Sequence, residues 1–267
     1  MPNPSNKILV NSQNVEFGYE LISVIPYAYW LFKHNRLAGT ISGSGSEPLY
    51  YFSPNHVIDP KLRDWANIRK LETPNRHIHK ARLDTSQFCP PPYKEFYAND
   101  KYHFDLVIYN RYNREWIQVP ELNRPINFFS LDLLQTIFEN FSGNILYCNV
   151  DGRKELHDRA GVLHLGDWDL IKKYPNVTSI HDLEEDYNLA QLLAFSNCPK
   201  FLTTNGGGCI LASYYGGVNI IYTNPQTVNG KVYARENVTG DFEYYPLFGG
   251  SKIVNVRSYP DILKQLL

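Results

Sequence analysis

Short apolar runs alternate along this chain with stretches whose apolar residues recur at helical spacing. "KILVN" (7–11) predicts a buried strand, and "YELISVIPYAYWLFKHN" (19–35) predicts a helix kinked or interrupted at Pro26. "PLYYFS" (48–53), "FDLVIYN" (104–110) and "PINFFS" (125–130) read as strands, and "LDLLQTIFENFSG" (131–143) as a helix closed by glycine. Residues 54–100, rich in Pro, His and Arg, hold no clean period and predict loops with short elements. A clearer series follows. "NILYCNV" (144–150), "VLHLGD" (162–167), "NVTSI" (176–180), "KFLTTN" (200–205), "VNIIYT" (218–223) and "KIVNV" (252–256) predict strands. "WDLIKKYP" (168–175), "DYNLAQLLAFSNC" (186–198), "GCILASYYGG" (208–217) and "YPDILKQLL" (259–267) predict helices.

Strands and helices alternating over such lengths imply an α/β fold with parallel sheets and crossover helices. The expected architecture is two small Rossmann-like halves, residues 1–143 and 144–267, whose parallel sheets face each other across a cleft. The last helix is expected to pack back on the first half, and one continuous doubly wound sheet is the alternative.

Composition narrows the function classes. The 267 residues are 43% hydrophobic, enough for a sizeable core, and the formal charge of −1 argues against a dedicated nucleic-acid binder. Cys89, Cys148, Cys198 and Cys209 lie far apart without a CxxC pair, which predicts inert thiols rather than a zinc site. The start lacks a signal-peptide pattern and no run reaches the length of a membrane span, so no transmembrane segment and a cytoplasmic location are expected. The sequons at Asn140, Asn176 and Asn237 then read as chance matches.

Candidate chemistry centres on "TTNGGGCILASYYGG" (203–217), where Asn205, Gly206, Gly207 and Gly208 occupy the turn between a strand and the helix that continues from Cys209. Such a turn presents N–H groups and the positive end of the helix dipole to an anion. One glycine would satisfy a tight turn; three let a pyrophosphate approach the backbone. No Lys-Ser/Thr follows, so this is not a Walker loop, nor is it the dinucleotide fingerprint expected after a first strand.

The longer segment "NLAQLLAFSNCPKFLTTNGGGCILASYYGGVNIIYTNP" (188–225) resembles the donor half of GT-B glycosyltransferases of the heptosyltransferase-like and fucosyltransferase-like groups. The resemblance implies that Asn205–Cys209 hold the diphosphate of a nucleotide-sugar. "NILYCNVDGRKEL" (144–156) resembles the strand-then-arginine segment of the same donor domains, implying Arg153, with Lys154 as a second candidate, on the β-phosphate. "NSQNVEFGYELISVIPYAYWL" (11–31) resembles their acceptor-side entrance, with a Gly18 backbone near donor phosphate or acceptor sugar. Glu16 or Glu20 would be the base that deprotonates an acceptor hydroxyl. Glu20 reads more readily as a carboxylate at a helix start, facing the macrodipole. Glu16, in the loop itself, is the stronger choice.

"YNRYNREW" (109–116) ends a strand and packs Asn110, Arg111, Tyr112, Asn113 and Glu115 into a polar and aromatic cluster. It suits sugar binding, with Glu115 as an alternative base, and reads equally as a solvated strand exit. "HLGDWDL" (164–170) and "IHDLEEDYN" (180–188) match loops that flank nucleobase and ribose in GT-B-like domains, so Asp167 or Glu184/Glu185 would accept ribose hydroxyls. The "DLEED" carboxylates also read as a capping run. No DxD-like pair stands at a strand end, so transfer without a metal or other cofactor is expected. His77 and His79 lack further ligands and read as exposed or structural.

These features predict a metal-independent glycosyltransferase moving a sugar from a nucleotide-sugar to a glycan or other hydroxyl acceptor. Two other classes remain: a Rossmann-like enzyme acting on a nucleotide or phosphorylated metabolite, and a non-catalytic sugar-binding module.

Overall fold

The computed structural model describes residues 7–13, 15–60, 73–76, 83–112, 123–149, 163–183, 185–224, 226–228, 231–233 and 242–267. They form two compact units, one up to Pro92 and the other from Tyr93 onward. This divide lies well before the expected one near residue 143. The reason is that the strand Leu106–Tyr109 and the helix Leu131–Asn140 belong to the later core.

The first unit carries a parallel sheet of β1 (Ile8–Asn11), β2 (Leu37–Ser42) and β3 (His56–Ile58), paired in that order. A continuous helical stretch joins β1 to β2: α-helix Phe17–Tyr19, π-helix Glu20–Val24 and α-helix Ile25–Lys33. The irregularity expected at Pro26 is thus taken up one turn earlier. The Ile25 N–H reaches back to the Glu20 carbonyl, the widened spacing of a π-turn. Residues 20–28 are buried all round, Leu21, Val24, Ile25 and Ala28 among them, and Leu31 is buried one turn on.

"PLYYFS" is not a strand. Glu47–Tyr50 forms a 3₁₀ turn with Pro48 in its first positions, where a missing N–H breaks no hydrogen bond. The strand of this region is "LAGTIS", whose small residues give a weak apolar signal.

The second unit is built on six parallel strands: β4 (Leu106–Tyr109), β5 (Ile145–Cys148), β6 (Val177–Ser179), β7 (Lys200–Thr204), β8 (Val218–Tyr222) and, last in the chain, β11 (Lys252–Val256). Between β8 and β11 runs a short antiparallel pair, β9 (Gln226–Val228) and β10 (Lys231–Tyr233). The large sheet has the order β11-β8-β7-β4-β5-β6. Counting its strands along the chain, this is 6-5-4-1-2-3, the doubly wound Rossmann order with its reversal between β4 and β7.

Its inner strands are mostly apolar and buried, as parallel strands covered on both faces must be, with Thr203 and Asn219 pairing within the layer and the edge strand β11 more exposed. Leu106, Ile108, Ile145, Leu202 and Ile220 are buried against Leu134, Ile137 and Phe138 of the helix Leu131–Asn140. Ser130 caps that helix through Leu133 N–H, and Asp186 caps the helix Tyr187–Phe195 through Leu189 N–H. The closing helix Tyr259–Leu266 joins the same core through Ile262 and Leu266.

Two further expected strands are absent, both in the second unit. "PINFFS" runs irregularly, with both backbone groups of Phe129 held by the Asn110 side chain. Described residues 163–166 stay irregular up to Gly166, whose φ of +82° opens the helix Asp167–Ile171.

Candidate functional site

Three asparagines immediately follow strands of the large sheet: Asn110 after β4, Asn149 after β5 and Asn205 after β7. All three are buried at the carboxyl ends of the strands, the edge where open α/β sheets take ligands. The reversal between β4 and β7 sets the loop starting at Asn110 beside the glycine turn starting at Asn205.

The glycine turn is held from several sides. Gly206 has φ +142° and ψ −167°, a conformation open essentially to glycine alone. Its N–H meets Cys209 Sγ at 3.4 Å, and that thiol donates to the Gly206 carbonyl at 3.0 Å. Gly207 begins the buried helix Gly207–Ser213. Gly208 faces the Tyr109 ring so closely that an added Cβ would lie 2.3 Å from Cδ1. Asn219 of β8 pins the helix down: its amide donates to the Cys209 carbonyl at 2.8 Å and to Ser213 Oγ at 3.0 Å. Thr203 Oγ1 donates back to Asn219 Oδ1 at 2.9 Å. Two of the three glycines therefore have an intrinsic structural cause, one conformational and one steric.

Across the reversal, Asn110 is 1% exposed and acts on the backbone rather than facing solvent. Its Oδ1 accepts from Phe129 N–H at 2.9 Å, and its Nδ2 donates to the Phe129 carbonyl at 3.1 Å and to the Tyr147 hydroxyl at 3.0 Å. Arg111 and Tyr112 follow, both half-buried. The Tyr112 ring lies 5.0 Å from that of Phe128, over which Arg124 sits at 5.4 Å. The Tyr112 carbonyl accepts from Leu163 N–H at 3.2 Å, which brings the segment leading to Asp167 alongside.

Asp167 is buried. Its Oδ2 accepts from the Tyr147 hydroxyl at 2.6 Å and from Asn149 Nδ2 at 2.7 Å. Burial first, and then the Asp167 carboxylate, push the Tyr147 hydroxyl well above its ordinary range, so it stays a donor. Tyr187 donates to the Tyr109 hydroxyl at 3.3 Å, closing the other flank.

In the first unit, Glu20 is 1% exposed and fully engaged. Its Oε1 accepts from Ser12 at 2.7 Å and Tyr50 at 2.8 Å, and its Oε2 accepts from Ser46 at 2.8 Å. Glu16 is the N-cap of the helical stretch, accepting from Tyr19 N–H at 3.2 Å. Glu16, expected in the loop, thus caps the helix, and Glu20 lies in its first turns, buried among hydroxyls. Gly18, expected in a loop, is buried within the first helical turn. Beside the Glu20 cluster, His56 lies 2.7 Å from Thr40 Oγ1 and 3.1 Å from Ser42 Oγ, with its ring stacked on Tyr50.

Of the residues singled out from sequence, Asn110, Arg111, Tyr112, Asp167 and Asn205–Cys209 gather in the second unit. Glu16, Gly18 and Glu20 lie in the first. Asn113, Glu115, Arg153, Lys154, Glu184, His77 and His79 lie outside the described residues. Sequence reasoning missed Asn149, Tyr147, Ser12 and Tyr50; an asparagine directly after the strand, as at Asn110 and Asn205, was the visible signal for the first of these.

The thiols fit the inert expectation where they are described. Burial raises the Cys148 thiol well above its usual range and the Cys198 thiol to about 12. Among the described residues no three His, Cys, Asp or Glu side chains gather as metal ligands, and no helix is long and apolar enough to cross a membrane. Against models of known families, curated proteins and solved structures, no match to this chain is found.

Proposed function

We propose that the chain is a nucleotide-sugar-dependent glycosyltransferase with a GT-B-like division of labour, its second unit holding the donor and its first unit the acceptor. The observation that carries this reading is the strand order of the second unit. Its reversal between β4 and β7 sets Arg111 on one side of the switch point and Asn205–Gly208 on the other. Doubly wound sheets bind nucleotides at that point. The guanidinium fork of Arg111 suits a phosphate, and Arg153 and Lys154 are the further cations that the sequence resemblance supplies.

In the transfer, the acceptor hydroxyl oxygen bonds to the anomeric carbon as the bond from that carbon to the diphosphate oxygen breaks. The hydroxyl proton goes to a carboxylate, and the nucleoside diphosphate leaves with the bonding pair. Glu16 is the better base. Its carboxylate accepts one backbone N–H, whereas Glu20 holds three hydroxyls. The leaving charge is met by arginine and backbone N–H groups.

A thermal-shift series with UDP, GDP, ADP, CMP and TDP, and their sugar conjugates, tests the reading. One base is expected to raise the melting temperature at millimolar concentration by linkage, and Gly207→Val to abolish that rise while unfolding stays cooperative. No stabilisation by any of them would overturn the donor site. The same strand order also favours a Rossmann-like enzyme acting on a nucleotide or phosphorylated metabolite. Binding without release of nucleoside diphosphate from any sugar conjugate, with or without a glycan mixture, would select that alternative.

A further inference from the structure

The helix Ile25–Lys33 of the first unit carries no charged side chain before Lys33. Residues 25–28 are buried, but of the last turns only Leu31 is. Tyr29 and Trp30 are half-buried and Phe32 is 40% exposed. A helix at a protein surface ordinarily turns charged and polar side chains to water, and one that is apolar all round is ordinarily buried. Here aromatic rings stand where the polar face should be. Tyr29 and Phe32 lie 5.8 Å apart, and both rest on Phe52, at 4.9 and 5.7 Å.

Cations gather at the same end of the unit. Lys33 and Arg36 are exposed and lead directly into β2, and Lys7, also exposed, precedes β1. Because β1 and β2 run parallel, all three stand toward one edge of the sheet, its amino edge. Glu16 and Glu20 follow β1 and Asp59 follows β3, toward the opposite edge. Among the described residues no carboxylate pairs with Lys7, Lys33 or Arg36. The aromatic end of the helix is thus bordered by uncompensated positive charge.

Charge and geometry select what this face takes. A second copy of the chain would meet it across a two-fold axis and set like charges against each other. A sugar stacks on a bare ring, and the Trp30 ring is taken: His34 stacks on it at 4.1 Å and the Arg36 guanidinium sits over it at 5.6 Å. Anionic lipid headgroups suit both parts of the face. They attract the cations while the aromatic side chains enter the boundary beneath them, a depth that tyrosine and tryptophan favour. We propose that the aromatic end of the helix Ile25–Lys33 docks the protein on an anionic lipid surface, with Lys7, Lys33 and Arg36 against the headgroups. The carboxyl edge of the sheet, with Glu16 and Glu20, then stays turned away from that surface. This inference stands on the first unit alone and does not rest on the nucleotide reading.

Flotation of the intact protein with vesicles tests it, phosphatidylcholine alone against phosphatidylcholine mixed with phosphatidylglycerol. The mixed vesicles are expected to carry the protein and the neutral ones to leave it behind, with binding lost as salt rises toward about 0.5 M. In chains that still unfold cooperatively, Phe32→Ser should weaken vesicle binding roughly tenfold. Lys33→Glu and Arg36→Glu together should weaken it by about thirtyfold or more. No partition onto either vesicle, or equal partition onto both, would overturn the proposal, as would native binding by the charge-reversed chain. Sedimentation of the protein alone covers the other occupant: self-association that Phe32→Ser abolishes would assign the face to a second copy and overturn the lipid reading. The preference of the native protein between the two vesicles decides the matter even if a variant fails to fold.

Discussion

The ring of Tyr109, the last residue of β4, fills the place where a side chain at position 208 would stand, with Cδ1 2.3 Å from a Cβ built on Gly208. The two strands that flank the switch point are thus locked together by an aromatic ring against bare backbone. Gly208→Ala forces the ring or the helix to move, and overpacking of this kind costs about 1–3 kcal/mol. Urea unfolding should show the loss as a lower midpoint at unchanged slope. Tyr109→Ala in the same chain should make the glycine substitution nearly neutral, because the two residues share one space. A full additive loss in the double variant would show that the glycine serves something other than the ring.

Asn110 supports a second prediction. Its amide meets both backbone groups of Phe129 and the Tyr147 hydroxyl, so Asn110→Ala leaves a buried N–H and carbonyl unpaired. The expected loss is about 2–3 kcal/mol of stability, read from the denaturant midpoint. A side chain whose role was to touch sugar would instead raise KM and leave the midpoint in place.

Much of the second unit was legible because its signals are local and redundant. "LVIY", "ILYC" and "VNIIY" are apolar enough to be buried on both faces, and the helices between them carry side-chain caps such as Ser130 and Asp186. The first unit was harder to read. β2 is made largely of small residues, and the apolar "PLYYFS" owes its aromatic content to burial of Tyr50 and Phe52 around a turn rather than to strand pairing. The glycine turn was legible as a place, while the structural demands on two of its glycines were not. A triple glycine suggests a ligand, yet Gly206 answers to its φ and Gly208 to Tyr109, neither of which a linear pattern displays. Likewise, sequence distance hid the pairing of Asn149 with Asp167, which only the fold brings together.

The two candidate bases of the first unit, Glu16 and Glu20, should separate cleanly on substitution. Glu20→Gln turns an acceptor that holds hydroxyls into a donor facing one, deep in the unit, and should cost about 2–4 kcal/mol of stability. Glu16→Ala loses only a helix cap, about 1 kcal/mol. If Glu16 is the base, that same variant should lower kcat by roughly a hundredfold or more with little change in the KM for the nucleotide-sugar. Equal kcat in the native and Glu16→Ala proteins would remove Glu16 from the chemistry.

Acid should weaken the first unit through His56. Burial against Tyr50, Thr40 and Ser42 pulls this histidine below its ordinary pKa, and the carboxylates of Glu47 and Glu20 oppose the shift without cancelling it. The folded state therefore binds the proton less readily than the unfolded chain, whose histidine titrates near about 6.5. Stability must then rise with pH across that interval. The contribution is complete above the unfolded value, declines as the pH falls below it, and levels off once the lowered folded value is passed. Midpoints of urea unfolding measured between about pH 7.5 and 5 should fall with acid in the native protein. His56→Asn removes the titrating group, so its midpoint should fall less over the same interval, whatever the neutral substitution costs at pH 7.5. Parallel curves for the two proteins would place the acid sensitivity in other groups and show that His56 is protonated as easily in the folded chain as in the unfolded one.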